Sequence, residues 1–79
     1  MKLTKRALDT LDIAIETVYR RNHAGVQISM LDIGKIFRAA RSAAQPHILA
    51  ARNIDTALQA AAGDIETAVN TTVAAIRLN

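Results

Sequence analysis

His23 and His47 are the side chains best suited to move a proton or hold a metal near neutral pH. Their placement serves neither use. They stand 24 residues apart, the chain has no Cys, and no His-x-x-x-His or Glu-x-x-His spacing sets two ligands on one helix face. Both read as structural or solvent-facing. Ser29 and Ser42 lack the Gly-x-Ser-x-Gly turn that presents a nucleophile, and Ser29 fits better as a helix cap. The acids, two Glu and five Asp, are scattered along helical surface, whereas paired-carboxylate catalysis needs an enclosed cleft. The three glycines are isolated, so no phosphate-cradling loop exists. The expectation is a non-enzymatic protein with no catalytic, cofactor or metal site.

The cations offer more. Lys35, Arg38 and Arg41 project from one broad helix face, and Arg52 follows close by in sequence. The planar guanidinium fork pairs with carboxylate or phosphate and is frequent at binding hot spots. These four residues are the expected partner-docking surface. A protein partner is the leading reading, and phosphates of DNA bound by Lys35, Arg38 and Arg41 are the alternative. A phosphorylated small ligand at a subunit interface is a third. Asp32-Ile33-Gly34-Lys35-Ile36-Phe37, followed by Arg41-Ser42, resembles the entry to a helix-turn-helix. Two positions depart from that motif: Arg38 stands where a turn glycine is expected, and Pro46 falls inside the recognition helix. With no Trp, one Tyr and one Phe, the chain also lacks a stacking platform for single strands.

Three helical segments must position these side chains. The first spans about 4–22. Thr4 is its N-cap, Leu8, Leu11, Ile15 and Val18 form its apolar stripe, and Gly25 follows as a left-handed stop. Ile13 falls off the stripe. The second spans about 30–44, capped by Ser29, with Ile28 and Ile33 as a hydrophobic staple. Its buried stripe is Ile33, Ile36, Phe37, Ala40, Ala43 and Ala44, which leaves Lys35, Arg38 and Arg41 outside. Because proline opens helices and disfavours helical angles at the preceding residue, Ala44-Gln45 reads as a break or kink. Pro46 then begins a third helix over about 46–78.

That third segment carries an internal repeat. Ile54-Asp55-Thr56-Ala57-Leu58-Gln59 recurs as Ile65-Glu66-Thr67-Ala68-Val69-Asn70, and Ile76 extends the isoleucine spacing. Eleven residues make about three turns at ~3.67 residues each, so the stripe hardly rotates along a straight helix. Ile54, Leu58, Ile65, Val69 and Ile76 are therefore the expected interface between copies.

Composition points the same way. Of 79 residues 51% are apolar, but 16 of these are alanine, which leaves a thin core. Without disulfides, self-association is the natural added source of stability. The fold class is all-α: a helical hairpin or three-helix unit in one domain, packed as an oligomeric bundle of two or more copies. No apolar run approaches the ~18 residues of a membrane span, so no membrane association is expected. Acids at Asp9, Asp12 and Glu16 leave no apolar core for a signal peptide, which makes the cytoplasm the expected location. Residues 1–52 carry a charge of +5 and residues 53–79 carry −2, so the two parts attract within a chain or between chains. The expected function is that of a small adaptor, regulator or inhibitor that occupies a surface on a larger protein.

Overall fold

The computed structural model describes residues 1–78. It contains three helices: α1 (Lys5–His23), α2 (Met30–Ala50) and α3 (Ile54–Arg77). No strand occurs among the described residues. The three-helix unit expected from the sequence is present; the structure is of a single chain, 38 × 21 × 18 Å along its principal axes.

Each helix starts where a side chain can satisfy its first free N–H groups. Thr4 accepts from Ala7 N at 3.1 Å, Ser29 from Asp32 N at 3.2 Å, and Asn53 from Thr56 N at 2.9 Å. Gly25 has φ +83°, a left-handed angle that turns the chain after α1 and that a Cβ would strain. The six residues 24–29 then lead into α2.

The second boundary requires a correction. α2 does not break at Ala44-Gln45; it runs through Pro46 to Ala50, and α3 begins at Ile54 instead of Pro46. Proline removes the hydrogen bond to the carbonyl four residues back, here that of Ser42. Ser42 and Pro46 are both exposed, so water can take up the freed carbonyl. Ala44 and Ile48, on the opposite side of the same turns, are buried and hold the helix in place. The chain reverses at Ala51-Arg52-Asn53, where the Asn53 cap starts α3.

The core follows a rule of four. The buried residues are Ala7, Leu11 and Ile15 on α1; Ile36, Ala40, Ala44 and Ile48 on α2; and Ala57, Ala61, Ile65, Val69 and Val73 on α3. Every step within each row is four residues, in place of the three–four alternation of a coiled-coil seam. A row of this kind drifts by about 40° per step around its helix. The buried line on α3 thereby turns from one neighbour toward the other, and α3 packs extensively on α2 and also on α1, while α1 and α2 touch least.

Counting outward from the 51–53 connector, Ile48 stands level with Ala57, Ala44 with Ala61, Ala40 with Ile65 and Ile36 with Val69. A large residue meets alanine at two levels, and alanine meets alanine at one. Small residues at both positions leave room for the two helices to approach closely at Ala44 and Ala61, which are both fully buried.

This packing reassigns the α3 stripe. Ile65 and Val69 are buried in the chain's own core, and Ile54, Leu58 and Ile76 are half-buried against it. Within the single chain, these five residues, expected as an interface between copies, lie on the inner face of the bundle. The sequence pattern marks burial correctly but does not say which chain supplies the cover.

Two substitutions test the packing. Ala44→Leu should cost about 1–3 kcal/mol or more through overpacking, and Ile65→Ala about 2–5 kcal/mol through the cavity it leaves. Exposed Ala60→Leu should change stability by no more than about 0.5 kcal/mol. Urea unfolding of the three variants measures all of these.

Candidate interaction surface

With the core assigned, the surface divides by how its charges are spent. Six of the seven acids have a basic partner. Lys5–Asp9 (3.0 Å) and Arg20–Glu16 (2.8 Å) lie along α1, and Lys35–Asp32 (3.3 Å) lies along α2. Arg41–Asp12 (2.6 Å) ties α2 to α1, Arg21–Glu66 (2.8 Å) ties α1 to α3, and His47–Asp64 (2.8 Å) ties α2 to α3. The expected attraction between the basic and acidic parts is thus realised inside one chain by the Arg21–Glu66 pair, and the His47 ring adds a contact to Asp64.

Lys35, Arg38 and Arg41 do emerge on the exposed side of α2, but their charges are not equally available. Lys35 lies against Asp32. Arg41 forms a two-pronged pair with Asp12 through Nε (2.8 Å) and Nη2 (2.6 Å), and its guanidinium sits 6.0 Å from the Phe37 ring centroid. The Asp12 hydrogen bond holds the Arg41 pKa above its ordinary value against desolvation, with the Asp12 charge adding to the same direction. Arg41 is an α1–α2 brace first and a docking group second. Among the described residues, Arg38 has no acidic partner within 4 Å. Arg52 is not brought into this face: it lies in the 51–53 connector, beyond about 18 Å of helix from Arg38.

The outward line of α2 carries a feature the sequence reading missed. Leu31 and Leu49 are 79% and 64% exposed. Together with Arg38, Ser42 and Gln45 they follow one line, because separations of 7, 4, 3 and 4 residues return to nearly the same side of a helix. Met30 is also exposed, one position round from Leu31. The signal was present: Leu31 and Leu49 stand on the polar side of the α2 wheel, opposite Ile36, Ala40 and Ala44. Ile13, the residue off the α1 stripe, is likewise exposed.

A polar latch joins the end of α1 to α3. Asn22 Nδ2 donates to Glu66 Oε2 (3.0 Å) and Asn70 Oδ1 (3.1 Å), and His23 Nε2 lies 2.8 Å from that same Asn70 oxygen. His23 and His47 therefore both serve as struts to α3. No three His, Cys, Asp or Glu side chains gather into a metal-binding group among the described residues. The segment that resembles a helix-turn-helix is uninterrupted helix from Asp32 to Ser42, so no turn falls there. No described helix is long and apolar enough to cross a membrane.

The latch predicts a pH dependence. The Asn22 hydrogen bond, followed by Arg21, holds the Glu66 pKa below its ordinary value. A lowered folded-state pKa adds stability above the unfolded value of about 4.3, and that stability is lost as pH falls through the folded value. Tm should fall on acidification through this range, and Glu66→Gln should flatten part of that fall. An identical acid profile in the variant would remove Glu66 from the latch.

Comparison with protein-family models, with curated proteins and with solved structures returned no match.

Proposed function

We propose that this chain is a non-enzymatic adaptor, regulator or inhibitor, acting in the cytoplasm, that docks on a larger protein through the outward face of α2. One observation carries this reading: two large leucines, Leu31 and Leu49, stand exposed in line with Arg38, an arginine that no described acid neutralises. An outward helix line is ordinarily polar. Apolar side chains flanking an unpaired arginine supply what binding hot spots use: area to remove from water and a fork for a carboxylate. The complementary partner surface is an apolar groove with an acidic group near its middle.

The state of the basic face supports protein over DNA. Lys35 and Arg41 are already paired within the chain, which leaves Arg38 alone on that face to neutralise phosphate. Duplex binding draws most of its affinity from several such contacts. Self-association, within this reading, uses the α2 face too, because Ile65 and Val69 are enclosed in the chain's own core.

The test is a Leu31→Asp/Arg38→Glu/Leu49→Asp variant, checked first for unchanged helicity. Affinity for a partner isolated with the wild-type chain should fall by about 30-fold or more, the ~2 kcal/mol of a single hot spot. Ala60→Glu, on exposed α3 surface, should bind as wild type. Equal affinity for the triple variant would place docking elsewhere. Submicromolar binding to duplex DNA that weakens steeply with salt and is lost in Arg38→Glu would favour the DNA reading.

A further inference from the structure

Among the described residues, five cationic side chains have no acidic partner within 4 Å: Lys2, Arg6, Arg38, Arg52 and Arg77. Three of the five, Lys2, Arg6 and Arg52, line one cleft of about 410 Å³. It lies at the end of the bundle where α1 and α3 both begin, beside the turn that follows α2. Elsewhere on the surface an acid is set against five of the seven lysines and arginines. Here the sequence gathers three cations with a single carboxylate, Asp55, among the lining residues. Like charges held in one cleft repel, and the local potential they raise favours an anion.

Two neutral groups of the cleft, Thr4 and Asn53, keep protons to donate, whereas the Thr10 hydroxyl is already given to the Arg6 carbonyl. Thr4 Oγ1 accepts from Ala7 N, which leaves its own hydroxyl proton to give. Asn53 Oδ1 accepts from Thr56 N, which leaves its NH₂ to give. With two guanidinium forks and an ammonium, the cleft offers many N–H and O–H donors, the chemistry that suits an oxygen-rich anion of high charge.

We propose that this cleft is a binding site for phosphate, carried by a phosphorylated small molecule or by a nucleic-acid backbone. It is separate from the α2 docking face, and Arg52, expected beside Lys35, Arg38 and Arg41, serves here instead.

The test uses the full chain with inorganic tripolyphosphate and a 20-base-pair duplex as probes, read by thermal shift and by direct titration at low and physiological salt. Tripolyphosphate should raise Tm, because a ligand that binds only the folded chain stabilises it. Arg6→Gln/Arg52→Gln should weaken binding at least tenfold. Arg20→Gln/Arg77→Gln removes the same charge at the far ends of α1 and α3 and should bind as wild type. Duplex binding with the same dependence on Arg6 and Arg52 identifies the backbone as the source; tripolyphosphate binding alone identifies a small ligand. Absence of binding to both probes at low salt overturns the site. Equal weakening in the two double variants also overturns it, since the effect then belongs to net charge and not to the cleft.

Discussion

The close approach of α2 and α3 is the constraint on which the rest of the structure depends. Two antiparallel rows stepped every four residues pair, by count from the connector, Ala44 with Ala61 at one level and an isoleucine with alanine at the levels on either side. Small residues let the helices come together, and the larger ones fill the space above and below. This contact explains why α2 continues past Pro46. Buried Ala44 and Ile48 hold the helical path from within, while the single freed carbonyl is left to water. α1 completes the bundle by laying Ala7, Leu11 and Ile15 onto the hairpin.

Once the core is closed this way, the surface follows from electrostatics. Pairs along a helix tie down Lys5, Arg20 and Lys35, and pairs between helices engage Arg21, Arg41 and His47. Exposed pairs of this kind add little stability each, about 0–1 kcal/mol. Their larger effect is to sort the cations. Arg41 becomes a brace. Arg38 stays available between two exposed leucines, and Lys2, Arg6 and Arg52 are left together beyond the C-terminal end of α2. The two proposed sites are thus consequences of which basic residues the acids do not reach.

Local chemistry was legible in the sequence, and its tertiary consequences were less so. The Thr4 and Ser29 caps and the Gly25 turn are set by neighbouring residues, and each could be read from its own segment. The boundary at Asn53 was equally local, since Asn53-Ile54-Asp55-Thr56 is a cap followed by a first-turn acid. Pro46, a strong local helix breaker, competes with that signal in the sequence. Proline lowers helix propensity without knowing that its turn will be clamped by α3. The α3 isoleucines were identified as buried, but periodicity does not distinguish cover by the same chain from cover by another. Arg41 could not be separated from Arg38 by pattern, because its partner Asp12 lies 29 residues away on another helix. The Lys35–Asp32 pair, three residues apart, was within reach of a local reading.

The central claim is that one chain closes its own core around the α2–α3 contact. The most direct measurement is the urea unfolding midpoint as a function of protein concentration, over about a hundredfold range. A core completed within one chain gives a midpoint that stays constant with concentration. A midpoint that rises steadily with concentration would show that folding requires a second copy, and would return Ile54, Leu58, Ile65, Val69 and Ile76 to an interface between chains.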